Sequence, residues 1–166
     1  MVERIISGGQ TGADRAGLDF AIAHGIPHGG WCPRGRLAED GSIPRRYRLM
    51  ESPSPDYAQR TEWNVRDSDG TVIFSLGRDL SGGSKFTAEV AAQLRKPCLH
   101  VSEVSGGRNS AENLRHFLRR HRIKCLNLAG PRASVEPRVG RFVRETLSAC
   151  LDLFQAAKVT PRHPRR

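Results

Sequence analysis

Arg4-Ile5-Ile6-Ser7-Gly8-Gly9-Gln10-Thr11-Gly12-Ala13-Asp14-Arg15-Ala16 is the stretch that decides the fold. A short apolar run is stopped by glycines, after which Ala13, Ala16, Gly17, Phe20 and Ala21 recur at helical spacing and Gly25 ends the helix. A strand that turns through glycines directly into a helix opens a βαβ unit. Glycine lets the backbone approach a bound phosphate, and a helix N-terminus offers unpaired N–H groups and the positive end of a dipole. Ser7, Gly8, Gly9, Gln10, Thr11 and Gly12, with Arg15 beyond them, are therefore candidate ligand contacts. A tight strand-to-helix turn with no ligand would also use glycine here.

The same alternation continues along the chain. Ile26 to Cys32 reads as a second strand, Tyr57 to Asp67 as a helix, and the β-branched run Thr71-Val72-Ile73-Phe74 as a third strand. A helix carrying Thr87, Val90, Ala91 and Leu94 follows, and Pro97 breaks it before the strand Cys98 to Val101. A polar loop from Ser102 to Asn109 leads to a helix with Ala111, Leu114 and Leu118, a strand from Lys124 to Leu128, and a long final helix from Val139 towards Phe154. Five strands read as buried runs alternating with five helices. That predicts one Rossmann-like, three-layer α/β domain over residues 1–158, with a mainly parallel five-stranded sheet and helices on both faces. The expected strand order is 2-1-3-4-5, with a cleft between strands one and three. Residues 159–166 are basic and are expected to be a disordered tail.

In such sheets the ligand sits beyond the carboxyl ends of the strands. Glycine, serine and threonine gather there: Ser7 to Gly12, Gly29 to Cys32, Ser75 to Gly77, and Asn127 to Pro131. Ser81-Gly82-Gly83-Ser84, with Thr87 one turn on, is a second candidate anion nest, or else a flexible turn with a serine cap. Trp31, Ser75, Gly130 and Arg132 join the candidate contacts. Arg34 and Arg36 begin a segment from Pro33 to Asp56 without clear periodicity, which reads either as a lid that clamps an anion or as a solvated, charge-mixed loop. Arg60 and Asn64 share a helix face that would suit pointing into the cleft.

Several classes are disfavoured. The dinucleotide fingerprint loses its first glycine to Ser7, and the ribose-binding acid about 20 residues on is missing because Cys32-Pro33-Arg34 ends strand two. No run approaches the roughly 18 apolar residues that span a bilayer. The start lacks a signal-peptide core, and the four scattered cysteines match a reducing compartment, so a cytoplasmic protein is expected. Cys32, the only cysteine at the rim, has no base nearby, and the histidines show no metal-ligand spacing. The 27 Lys+Arg against 17 Asp+Glu give a net charge of +10. Arginine forks suit phosphate. Nonspecific nucleic-acid attraction is the competing reading, but no helix concentrates the arginines and no aromatic platform stands out.

Longer motifs add a family. Ser7 to Ala16, Gly25 to Arg36, Ala38 to Gly41, Tyr57 to Val65, Asp67 to Thr71, Gly82-Gly83 with Thr87, and Asn127 to Arg132 resemble the molybdenum cofactor carrier family over nearly the whole chain. The resemblance implies a circularly permuted Rossmann-like fold of the LONELY GUY-type nucleotide-binding superfamily. It also implies homo-oligomers, and molybdenum cofactor (molybdopterin) as ligand in some relatives. Gly82 to Glu89 is only loosely similar to the Gly-Gly-x-Gly-Thr-x-x-Glu signature of the phosphoribohydrolases, since Lys85 replaces a glycine and Glu89 falls one residue early. The expected function is a carrier of a phosphorylated small molecule. The alternative is an enzyme on nucleotide-derived substrates, which needs a carboxylate in the cleft: Glu89, Asp14 or Glu39.

Overall fold

The computed structural model describes residues 1–156; the basic tail lies outside the described residues. Along the chain run β1 (Arg4–Ser7), α1 (Ala13–Ala23), β2 (His28–Gly29), β3 (Trp31–Cys32), β4 (Leu37–Ala38), β5 (Gly41–Ser42), β6 (Met50–Glu51), α2 (Tyr57–Arg66), β7 (Gly70–Ser75), α3 (Gly82–Gln93), β8 (Cys98–Ser102), α4 (Glu103–Gly106), α5 (Ser110–Arg120), β9 (Cys125–Ala129) and α6 (Val139–Ser148). Every pairing in the main sheet is parallel, and its order is β2-β1-β9-β7-β8.

The sheet sorts side chains by parity along each strand. On β7, Val72 and Phe74 join the large cluster built with α1, α5 and α6, including Phe20, Leu114, Phe142 and Leu147. Ile73, from the opposite parity, is fully buried, and Val65 of α2 packs with Val90 and Ala91 of α3 in a separate cluster. Helices thus cover both faces and make three layers. The buried pair Asn127 and Thr71, whose side chains hydrogen-bond at 3.1 Å, ties β9 to β7 within the sheet.

The strand order differs from the expected one. The last strand, β9, is inserted between the first and the third, giving 2-1-5-3-4 in chain order. Counting instead from β7 (β7, β8, β9, β1, β2), the sheet reads 2-1-3-4-5, the doubly wound order of a chain cut and rejoined elsewhere. Leu126 and Leu128 fill the centre of the sheet. An apolar run announces a buried strand but not its neighbours, and that is why the sequence reading misplaced it. The switch point, where connections leave in opposite directions, lies between β7 and β9.

Three local differences have plain causes. The second strand is split at Gly30, whose φ of 121° turns the chain. Beyond it Trp31 N–H donates to Asn64 Oδ1 and Asn64 Nδ2 donates to Trp31 O, both at 2.8 Å. Asn64 therefore anchors β3 and does not line the cleft. The loop from Ser102 contains a short helix, capped by Ser102 Oγ accepting from Ser105 N–H. The final helix stops at Ser148 and is followed by a 3-10 turn, Leu151–Leu153. Among the described residues no helix is long and apolar enough to cross a membrane.

Candidate functional site

A cleft of about 470 Å³ opens at the carboxyl ends of β7 and β9, at the switch point. Ser75 comes from the tip of β7, Ala129 and Gly130 from that of β9, and Arg132, Val135 and Glu136 from the segment leading to α6. The start of α3 contributes Gly82, Gly83, Ser84 and, one turn on, Thr87; α2 contributes Tyr57, Arg60 and Thr61; the β1–α1 turn contributes Gln10, and the first turn of α1 contributes Asp14.

The start of α3 is open. Ser81 is extended at the N-cap, with no side-chain bond closing the end. The first helical bond runs from Lys85 N–H to Ser81 O, so the N–H groups of Gly82, Gly83 and Ser84 precede the ladder. A Cβ on Gly82 or Gly83 would meet nothing within 4 Å, so neither glycine is packed against a neighbouring element there. Thr87 Oγ1 donates to Gly83 O at 2.8 Å and holds the turn in place.

Facing charge is supplied by two arginines. The Arg60 and Arg132 guanidiniums each lie 5.7 Å from the centre of the Tyr57 ring. Arg60 Nη1 also approaches Asp14 Oδ2 at 3.4 Å. Burial raises the pKa of Asp14 above its ordinary value, because desolvation outweighs the opposing pull of Arg60, the Gln10 N–H, Ser7 and Arg15. Gln10 Oε1 accepts from the N–H groups of Thr11 and Glu39, both at 3.0 Å, while its Nε2 is buried with no partner among the described residues. Arg60 Nε is buried and unpartnered in the same way.

Of the residues expected from sequence, the cleft brings together Gln10, Ser75, Gly82, Gly83, Ser84, Thr87, Gly130 and Arg132. The others have structural work nearby. Ser7 Oγ donates to Leu128 O at 2.7 Å and locks β1 to β9. Gly8 leaves room for the Arg60 guanidinium, which a Cβ would strike. Gly9 and Gly12 have φ of 78° and 80°, the left-handed region where a side chain is strained. Gly12 moreover faces the backbone of Pro131 to Ala133. Thr11 is held by Glu39 and accepts from Ala133 N–H at 3.1 Å. Arg15 is paired with Asp40 at 2.7 Å and donates to Gly9 O. Trp31 Nε1 donates to Asp67 at 2.7 Å, and its ring packs edge-on against Trp63.

No residue of the 33–56 segment lines the cleft, Arg34 and Arg36 included. Arg34 contributes a backbone N–H to Ser54 O. Arg36 is occupied by the carbonyls of Ile43, Pro44, Tyr47 and Leu49, at 3.0 to 3.1 Å. The segment is a folded flap nailed down by its own arginine. It reaches the cleft wall through Glu39, which is bonded to Ser134 and lies 3.9 Å from Arg132. Cys32 is fully buried beside Leu18, Ile43, Tyr47 and Leu49. Among the described residues no group of three or more His, Cys, Asp or Glu is placed to hold a metal ion.

Sequence reasoning named Asp14 among the candidate cleft carboxylates and passed over Tyr57 and Glu136 as cleft residues. Tyr57, Arg60 and Thr61 fall at i, i+3 and i+4, the one signal that could have marked that face of α2. Glu136 accepts from Leu76 N–H at 2.7 Å across 60 residues; no pattern in the chain marks such a contact. Neither Glu89 nor Glu39 lines the cleft, whereas Asp14 does.

No curated protein matches this chain. Among solved structures it is similar to the crystal structure of the "Putative molybdenum carrier protein" from Syntrophus aciditrophicus SB. The two share 50% sequence identity and a TM-score of 0.88, over 90% of this chain and 95% of that one. The sequence model of the circularly permutated YpsA SLOG family matches residues 5–151, which agrees with the rotated strand order of the sheet. The chain belongs to the circularly permutated YpsA SLOG family.

Proposed function

We propose that this protein is a carrier that binds molybdenum cofactor, a phosphorylated pyranopterin, in the cleft at the strand ends. The observation that carries the proposal is convergence: the open amides of Gly82 to Ser84, Arg60 and Arg132 all belong to one cleft of about 470 Å³. A phosphate at the α3 N-terminus would accept backbone N–H bonds and a charge-assisted bond from Arg132. Tyr57 and Phe86 give the cleft aromatic surface, which suits a flat heterocycle. Among the described residues no cysteine or histidine lines the cleft, so a metal held by the ligand's own dithiolene would meet no soft protein ligand there. The structural neighbour's name supports a carrier role. Assembly into homo-oligomers belongs to the same proposal.

Native mass spectrometry of protein isolated from a cofactor-producing host is the test. A pterin-sized adduct, lost on denaturation, is expected; its repeated absence rejects the pterin reading.

One observation favours a second reading. Asp14 is a buried acid with a raised pKa at the cleft, the kind of group an enzyme on nucleotide-derived substrates would use to protonate a leaving base. Release of free base from a nucleoside monophosphate panel, lost in Asp14→Asn, would establish that activity.

A further inference from the structure

We infer that Gln10, Asp14 and Arg60 form a subsite that reads the amide edge of a 2-amino-4-oxo heterocycle, the edge shared by pterin and guanine, and rejects the amino edge of adenine. The inference rests on the carrier reading above and adds which end of the ligand this wall recognises.

The three side chains come from the β1–α1 turn, α1 and α2, and meet in the wall of the cleft. Gln10 is 5% exposed and its amide has only one workable orientation. Its Oε1 already takes the N–H groups of Thr11 and Glu39, and a flipped amide would press an NH₂ against two donors. Its Nε2 is therefore a fixed donor, and it has no acceptor among the described residues. Arg60 Nε is a second buried donor without an acceptor. Between them Asp14, 2% exposed, is held by Gln10 N–H at 3.2 Å and by Arg60 at 3.4 Å. Two hydrogen bonds leave a carboxylate with capacity for about two more.

The subsite thus offers an acceptor with capacity to spare, flanked by unspent donors. A 2-amino-4-oxo edge presents the complement: two parallel N–H donors for the carboxylate and a carbonyl oxygen for the donors. Adenine sets a ring nitrogen beside its amino group, which would face a carboxylate oxygen with a lone pair. Sites that hydrogen-bond a substrate group reject analogues lacking it far more strongly than apolar pockets do. The buried, unpaired donors give this wall a reason to take a polar partner at all.

Calorimetric titration of the full chain with three nucleotides as probes tests the subsite without altering the protein. Guanosine 5′-monophosphate should bind at least tenfold more tightly than adenosine 5′-monophosphate or the O6-methylated guanosine monophosphate. Asp14→Asn should bring the guanosine compound to the adenosine level. Equal binding of all three nucleotides overturns the subsite but leaves phosphate capture standing. A guanosine preference that survives Asp14→Asn overturns the assignment to Asp14. If neither the nucleotides nor inorganic phosphate bind, the carrier reading falls and this inference with it. Should Asp14→Asn fail to fold, the three-ligand series with the natural chain decides.

Discussion

Arg60 lays its guanidinium against the carboxylate of Asp14, Nη1 to Oδ2 at 3.4 Å, with the two side chains only 14% and 3% exposed. The pair joins α2 to the first turn of α1 and occupies the space that Gly8 leaves by having no side chain. It is both a structural joint and part of the cleft wall, and its energetics can be separated from its binding role.

Arg60→Ala should cost about 3 kcal/mol of stability, because breaking a buried pair strands the remaining charge. The dependence on pH has a definite sign. The Asp14 pKa is raised in the folded state, so the folded protein holds this proton more tightly than the unfolded chain does. Its contribution to stability falls as pH rises from the unfolded value of 3.8 through the folded one. Removing Arg60 raises the folded value further and widens that window. Urea denaturation at pH 5 and pH 8 should therefore show the variant losing more stability between the two than the natural protein; parallel losses would refute the pairing.

Arg36 has a φ of 54° and donates to four carbonyls of the flap. Arg36→Ala keeps the backbone strain and discards every one of these bonds, at a cost of about 2–4 kcal/mol. Limited proteolysis should cut between residues 43 and 49 in the variant, while the natural flap resists. If cleavage is unchanged, the arginine is not what holds the flap.

Glu39 accepts from Thr11 and Ser134, with Arg132 beyond, and these partners depress its pKa, hydrogen bonding from Ser134 foremost. A depressed carboxylate stabilises the fold above the unfolded value, 4.5 here, and loses that contribution as pH falls through the folded value. Glu39→Gln and the natural protein should differ in melting temperature at pH 7 and converge in acid. A gap that persists at pH 3 would show that the strap does not depend on charge.

All four cysteines have raised pKa values, with desolvation the largest cause in each; Cys98 is pushed up to about 11. The thiolate is the reactive form. Alkylation of the native protein by iodoacetamide at pH 7.5 should be slow at every site and complete at four after denaturation. Rapid native modification of Cys32 would contradict its place in the core beside Tyr47.

Loop signals were legible where their chemistry is local. The glycine turns at Ser7 to Gly12 and Ser81 to Ser84 were marked because backbone freedom and a helix start are written into a few adjacent residues, and both turns supply residues to the same cleft. The 33–56 flap was not legible. Arg36 looks like any other arginine until the chain bends back far enough to surround it with carbonyls. The same holds for Asn64, which was expected to point into the cleft with Arg60 but whose amide is spent on the backbone of Trp31.

The sequence by itself determined the α/β class, the strand-to-helix turns and the parallel character of the sheet, because periodicity, glycine and buried runs act over a few residues. Only the tertiary structure decided that β9 lies between β1 and β7, that the cleft therefore sits at the β7–β9 switch point, and that Asp14 and Arg60 meet there. Strand order and buried charge pairing depend on which distant surfaces exclude water together, and no local pattern of residues encodes that choice.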